Sequence, residues 1–171
     1  MPVVSASRDT PTIERSAVFS RCERYRYELS RCWDPALPTM GLVMLNPSTA
    51  DATHDDPTIR RCMSLASSNG FGSIRVCNLY AYRATSPADL RRAAEPIGPR
   101  NNRNLRALVA TVHAVVIAWG GLANIAERAR AADVLRLIGN GAMCFGTTAS
   151  GDPRHPLYLR RSARLMPHCV G

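Results

Sequence analysis

A five-residue apolar run, Gly41-Leu42-Val43-Met44-Leu45, is followed at once by the polar loop Asn46-Pro47-Ser48-Thr49. A continuous apolar run of this length is typical of a parallel strand that helices cover on both faces. Because such strands carry ligand-binding loops at their carboxyl ends, the loop that starts at Asn46 is a candidate site. Pro47 fixes the backbone and favours an extended Asn46, whose amide then projects from the mouth of the sheet. Alternatively, Asn46 only caps a turn.

Three further apolar runs alternate with helical patterns along the chain. The runs are Ser73–Cys77, Ala114–Trp119 and Ala142–Phe145. The helices are predicted from Pro57 to about Asn69, from Ser86 to about Ala94, over Asn101–Thr111 and over about Leu122–Ile138. This alternation predicts a three-layer α/β/α fold around a central four-stranded, mostly parallel sheet.

The N-terminal region has a different pattern. Short aromatic and alternating stretches at Ala17–Arg21 and Tyr25–Ser30 predict a β hairpin. Residues 1–15 are polar and irregular, and we expect them to be flexible. Since there is neither an internal repeat nor a low-complexity linker, residues 1–171 are predicted to form a single α/β domain.

The chain is strongly basic, with a net charge of +9 and an isoelectric point of about 10.0. All 22 positive side chains are arginines. Such a charge is the footprint of a polyanion partner such as nucleic acid, with DNA favoured over RNA. It is equally consistent with the codon usage of a GC-rich genome. The missing lysine excludes both a Schiff-base mechanism and a P-loop.

The cysteines and the hydropathy limit the remaining classes. None of the six cysteines forms a C-x-x-C pair, so a zinc ribbon is not expected, whereas iron–sulfur ligation by four of them is left open. No apolar run is long enough for a bilayer, and the N-terminus has no signal-peptide core. We therefore expect a cytoplasmic protein with no membrane partner, no metal and no cofactor.

A second candidate loop follows the strand Ser73–Cys77. The Asn78 amide offers donors and an acceptor that suit the edge of a base, and Tyr80 or Tyr82 can stack on a ring. Arg83 lies in the same polar and aromatic stretch. The alternative is an ordinary asparagine at a strand end with two packed tyrosines.

A third candidate is the loop Gly151–Tyr158, after the fourth strand. Two prolines flank His155, which can hydrogen-bond or protonate a substrate oxygen. Arg154 can hold a phosphate, and Leu157 or Tyr158 can wedge into a base stack. The alternative is a rigid surface loop.

Three aspartates stand near the first loop. Asp56 is predicted to cap the helix that begins at Pro57. Asp51 and Asp55 remain candidates for a catalytic base or a magnesium ligand, for which His54 adds only weak support. Two arginines at the start of the helix, Arg60 and Arg61, either face phosphate or are solvated.

The order of these loops resembles the uracil-DNA glycosylase superfamily, in which an Asn-Pro loop follows the first core strand, an Asn the second and a His-Pro loop the fourth. The resemblance implies that Asn46 positions a water, that Asn78 reads the base and that His155 stabilises the charge on the departing base. Ser48 and Leu157 differ from the residues that the superfamily usually has there.

Four longer motifs also identify a resemblance to family 1643 of the domains of unknown function. They are Met44–Asp51, Asp55–Arg61, Asn78–Thr85 and Gly151–Tyr158.

These features predict a monofunctional, DNA glycosylase-like enzyme that hydrolyses a base–sugar bond. The alternatives are a non-catalytic nucleic-acid or nucleotide binding module on the same fold, or a hydrolase of free nucleosides or nucleotides. The predicted catalytic residues are Asn46, Asp51, Asp55 and His155. The predicted substrate-binding residues are Pro47, Ser48, Thr49, Asn78, Tyr80, Tyr82, Arg83, Trp119 and Gly120, and the predicted nucleic-acid contacts are Arg60, Arg61, Arg154, Leu157 and Tyr158.

Overall fold

The computed structural model describes residues 12–169. These residues form strands, α-helices and one 3-10 turn. The strands are β1 (Glu14–Phe19), β2 (Arg26–Cys32), β3 (Thr39–Met44), β4 (Ser73–Asn78), β5 (Ala114–Ile117), β6 (Met143–Cys144) and β7 (Met166–Pro167). The helices are α1 (Pro57–Ser68), α2 (Pro87–Arg92), α3 (Asn101–Thr111) and α4 (Ile125–Ile138), and the 3-10 turn is Pro156–Tyr158.

All seven of these strands belong to one mixed sheet with the order β1-β2-β4-β3-β5-β6-β7. β3 pairs parallel with β4 and β5, and β5 pairs parallel with β6. β1 pairs antiparallel with β2, β2 with β4, and β6 with β7. The carboxyl ends of β3, β4 and β5 therefore lie side by side at one edge of the sheet.

Helices cover both faces of the sheet. Successive residues of a strand point to opposite faces, so neighbouring residues of β3 belong to different apolar clusters. Leu42 and Met44 of β3 belong to an apolar cluster with Ile59 and Leu65 of α1. Val43, between them, belongs to a second cluster that includes apolar residues of α2, α3 and α4. The continuous apolar run in β3 thus reflects burial on both faces.

The helix boundaries follow from their capping residues. The Asp56 side chain accepts a hydrogen bond from the Ile59 N–H, as expected for the cap of α1. Helix α4 begins at Ile125 rather than near Leu122, because the Asn124 side chain accepts from the Glu127 N–H.

Two predictions about the architecture need correction. The sheet has seven described strands in both orientations, because the N-terminal hairpin and the C-terminal segment extend the four predicted strands at its two edges. The prediction that residues 1–15 are flexible includes Glu14 and Arg15, yet both lie in β1 and pair with Cys32 and Arg31 of β2. The rest of that prediction, up to residue 11, lies outside the described residues.

None of the helices in the described part of the chain has the length and apolar character needed to cross a membrane.

Candidate functional site

A cavity of about 380 Å³ lies at the carboxyl ends of β3, β4 and β5. This volume is at the lower end of the range found for small-molecule sites. Each of the three strands contributes one polar or aromatic residue at its end or just beyond it: Asn46, Asn78 and Trp119. The loop that leads to Tyr158 closes one side of the cavity. The lining includes Arg26, Asn46, Ser48, Asp56, Thr58, Asn78, Thr85, Ser86, Trp119, His155, Leu157 and Tyr158.

The Asn46 amide holds two loops together at the mouth of the cavity. Its Nδ2 donates to the carbonyl oxygens of Pro47 and Ala84, each at 2.9 Å. The Ala84 N–H in turn donates to the Pro47 carbonyl at 3.0 Å. With both amide hydrogens engaged, the group that Asn46 can offer to a ligand or a water is the acceptor Oδ1.

Among the buried polar atoms that have no hydrogen-bond partner within residues 12–169, two belong to cavity residues at the carboxyl ends of β4 and β5. They are Oδ1 of Asn78 and Nε1 of Trp119, whose side chains are 2% and 4% exposed. Because a buried polar group without a partner is costly, such groups in a cavity indicate that a ligand or ordered water completes them. One is an acceptor and the other a donor.

His155 packs closely against Gly120, which lies in the loop after β5. A Cβ on Gly120 would lie 3.2 Å from the His155 Cβ, and the glycine has a φ of +79° that other residues rarely adopt. Nδ1 of His155 accepts the Leu157 N–H at 3.3 Å. Burial lowers the pKa of His155 below its ordinary value of 6.5, so the ring is neutral at pH 7 with the proton on Nε2.

These cavity-lining loops carry the motifs quoted above, and a family comparison covers them. The family described as protein of unknown function, DUF1643, matches residues 26–157, which is more than half of the chain. The chain is a member of the DUF1643 family. No curated protein matches it.

Two charged residues that line the cavity were not predicted as site residues from the sequence. Arg26 lies in β2, is 3% exposed and donates through a terminal nitrogen to the Ala50 carbonyl at 2.8 Å. Asp56 was predicted only as a helix cap, yet it lines the cavity as well. Burial lowers the pKa of Arg26 to about 10, and the Asp56 carboxylate partly opposes this shift.

A β-bulge accounts for the unexpected position of Arg26. Val18 pairs with Glu28 but Phe19 pairs with Arg26, so the register shifts by one residue in β2. A bulge interrupts the alternation of side chains along a strand and can redirect one of them toward a site. The shift in register was not visible in the sequence pattern.

The two catalytic aspartates predicted from the sequence are engaged elsewhere. Asp55 accepts from the buried Arg31 at 2.6 Å and from Arg15 at 3.1 Å. Asp51 closes its own turn, where the N–H groups of Thr53 and His54 hold the pKa of its carboxyl well below the usual range. Neither aspartate is among the residues that line the cavity.

The aromatic residues after Asn78 also point away from the cavity. Tyr80 lies against Leu90 and Glu127 in a separate depression between the α2 region and α4. Tyr82 packs edge-on against Tyr25, with ring centres 6.0 Å apart. The Arg83 guanidinium stacks over Phe19 at 5.0 Å. Strand β4 ends at Asn78, so Tyr80 and Tyr82 do not continue its alternation and need not share the direction of the Asn78 side chain.

The remaining predicted contacts divide between the rim and the surface. Ser48, Leu157 and Tyr158 line the cavity, and Tyr158 is 84% exposed. Gly120 and Arg154 line a neighbouring depression that also includes His155 and Tyr158. Other predicted contacts lie outside the cavity lining: Pro47, Thr49, Arg60 and Arg61.

Within residues 12–169, no group of three His, Cys, Asp or Glu side chains is arranged to hold a metal ion.

Proposed function

We propose that the cavity binds a nucleobase and that this DUF1643 protein hydrolyses the bond between the base and its sugar. The observation that carries the proposal is the pair of unpartnered buried atoms, Asn78 Oδ1 and Trp119 Nε1, in one cavity at the strand ends. A base edge offers donors and acceptors in one plane, which suits an acceptor and a donor of this kind. The order of the loops, which resembles that of the uracil-DNA glycosylase superfamily, supports the same assignment.

The proposed reaction uses a water as nucleophile. The oxygen of the water forms a bond to the anomeric carbon while the bond from that carbon to the base nitrogen breaks. Asp56, the carboxylate of the cavity, accepts the proton that the water loses. Asn46 Oδ1 accepts a hydrogen bond from the same water and so orients it.

The departing base leaves with the bonding electron pair and is stabilised by a hydrogen bond. The neutral His155 presents Nε2–H, because its Nδ1 already accepts the Leu157 N–H. The base leaves as an anion held by the hydrogen bond from Nε2–H and takes its proton from solvent, while Asp56 returns the proton of the water to solvent, so the protons balance. With no lysine available for a Schiff base, we expect a monofunctional reaction.

The base can belong to a nucleic acid strand. Leu157 and Tyr158 are exposed at the rim of the cavity, where side chains can fill the gap left by a base that has been rotated out of its stack. Arg154 lies beside them in the neighbouring depression. The net charge of +9 would strengthen contacts to phosphates, and such binding weakens as salt rises. DNA is the proposed partner.

Release of free base is the direct test. The protein is incubated with nucleosides and with oligonucleotides that carry uracil, hypoxanthine or a modified pyrimidine, and the free base is separated by chromatography. We expect release by the wild type, and a loss of at least about 100-fold in the Asp56→Asn variant. The control Asp51→Asn also removes one carboxylate but lies outside the cavity, so it should retain activity.

Two results would contradict the proposal in different ways. If wild-type protein releases no base from any of these substrates but binds them, the chain is a binding module on this fold. If Asp51→Asn abolishes release while Asp56→Asn does not, the carboxylate has been assigned to the wrong residue.

A further inference from the structure

Arg26 is a buried cation whose charge lacks a partner. Within the described residues it forms no ion pair with a carboxylate, and its Nε has no hydrogen-bond partner. Among residues 12–169, the one acceptor that its guanidinium reaches is the Ala50 carbonyl. Burying a charge without a counter-charge is strongly unfavourable.

The two other buried arginines show how this protein satisfies such a group when its role is structural. Nε of Arg31 contacts Asp55 at 2.6 Å, and its terminal nitrogens reach further carbonyl oxygens. Nε of Arg130 donates to the Leu79 carbonyl at 2.8 Å, and a terminal nitrogen donates to Asn102. Arg26 differs from both because its Nε is unpaired and because it lines a cavity.

Asp56, the carboxylate of the same cavity, does not neutralise Arg26 by direct contact. One of its oxygens accepts the Ile59 N–H at 2.8 Å, at the N-terminus of α1. The helix dipole and this capping bond stabilise the carboxylate where it stands. Asp56 therefore compensates the charge of Arg26 only from a distance, and the guanidinium keeps donors for the direct contact of another anion.

We propose that Arg26 forms an anion subsite of the cavity and that it binds a terminal phosphate of the ligand. Ser48 and Thr58 line the same cavity and carry hydroxyl groups that can donate to phosphate oxygens. Arginine binds phosphate through paired, charge-assisted hydrogen bonds. That the phosphate belongs to a nucleotide rests on the proposed function.

The burial of Arg26 indicates which kind of phosphate can reach it. The phosphodiesters inside a strand run along a protein surface, whereas a guanidinium that is 3% exposed requires a group that enters the cavity. A terminal phosphate can do so, either on a free nucleoside monophosphate or at the end of a strand. Both sources offer the same dianionic group.

Calorimetric titration separates these ligands. The ligands are a nucleoside, its 5′-monophosphate, inorganic phosphate, and one oligonucleotide with and without a 5′-terminal phosphate. We expect the monophosphate to bind wild-type protein at least about tenfold more tightly than the nucleoside. Arg26→Gln should abolish that difference and Arg26→Lys should retain part of it. The control Arg136→Gln removes an equal charge from an exposed position on α4 and should leave the difference unchanged.

The oligonucleotides identify the source of the phosphate. A preference for the 5′-phosphorylated strand that equals the preference for the free monophosphate indicates a strand end, and a preference confined to the monophosphate indicates a free nucleotide. Either result supports the subsite. Equal binding of nucleoside and monophosphate, or a preference that survives Arg26→Gln, would overturn it.

Stability provides a second measurement that does not depend on the identity of the base. Since Arg26 is buried without a counter-charge, Arg26→Met should unfold at the same or a higher urea concentration than wild type when no ligand is present. Inorganic phosphate should raise the melting temperature of the wild type but not that of this variant. If Arg26→Met is strongly destabilised and phosphate stabilises both proteins equally, Arg26 is structural and the subsite is wrong.

The subsite and the base site can fail separately. Arg26-dependent binding of phosphate without any binding of nucleosides would sustain the subsite and refute the base site. Binding of nucleosides without any preference for the monophosphate would sustain the base site and refute the subsite.

Discussion

The side-chain nitrogen of Asn101 donates to the main-chain carbonyl of Asn78 at 2.9 Å and to that of Leu79 at 3.0 Å. Asn101 is fully buried at the start of α3. It therefore fixes the backbone at the end of β4, the point from which the Asn78 side chain enters the cavity. Asn101 acts through Asn78 and is a positioning residue.

Replacement of Asn101 by alanine should remove a donor from two buried carbonyl oxygens, of which that of Leu79 keeps its hydrogen bond from Nε of Arg130. We expect a loss of roughly 2 kcal/mol in the free energy of unfolding, measured by urea denaturation. Because the end of β4 is then less firmly held, the affinity for base-containing ligands should fall as well. An unchanged affinity in a correctly folded variant would show that Asn101 does not position Asn78.

Asp56 combines a structural and a proposed chemical role, and two substitutions separate them. Asp56→Asn keeps a good capping residue and should change the stability by only a few tenths of a kcal/mol. Asp56→Ala removes the acceptor of the Ile59 N–H and should cost about 1 kcal/mol. Both should abolish base release equally. Full activity in Asp56→Asn would leave Asp56 with the capping role alone.

For the ion pair between Arg31 and Asp55 we expect the opposite result, a large loss of stability without a loss of activity. Removing Asp55 leaves the Arg31 guanidinium buried without its counter-charge, so Asp55→Ala should lower the free energy of unfolding by about 3–5 kcal/mol. Base release per folded molecule should not change. The double variant Arg31→Met, Asp55→Leu should recover much of the stability. A loss of activity in that stable double variant would restore Asp55 as a catalytic candidate.

Stability should also depend on pH through His155. Burial lowers the pKa of His155 in the folded state below the ordinary value of 6.5. The unfolded chain therefore takes up a proton at a higher pH than the folded protein, and stability falls as the pH drops below about 6.5. Urea denaturation at pH 7.5 and pH 5.5 should show a smaller decrease for His155→Gln than for wild type. An identical decrease in both proteins would rule out His155 as the source.

Several cavity residues were predicted from the sequence because they depend on local pattern. Asn46, Asn78 and Trp119 follow or end apolar runs, and the carboxyl ends of neighbouring parallel strands share one edge. His155 belongs to a proline-stiffened loop that has few conformations. Given these local patterns, the order of the strands in the sheet is sufficient to predict that these residues meet at one cavity.

The residues that lie outside the cavity or were missed depend on contacts between distant parts of the chain. Asp55 has the residue type and position expected of a catalytic base, but its partner Arg31 lies 24 residues earlier, in β2. Arg26 enters the cavity at a β-bulge whose register is set by pairing with β1. Neither the partner of Asp55 nor the register at the bulge can be inferred from the spacing of residues along the sequence. The hydrogen-bonding needs of a buried group become visible only when its neighbours are known.

Fluorescence of Trp119 tests the central claim, that this cavity takes a nucleobase. The sequence has two tryptophans, so the Trp33→Phe variant leaves Trp119 as the single reporter at the cavity wall. Titration with nucleosides and nucleotides should change its emission saturably, and adding Asn78→Ala should weaken the affinity at least about tenfold. Emission that does not respond to any base-containing ligand, or a response that is unchanged by Asn78→Ala, would contradict the account.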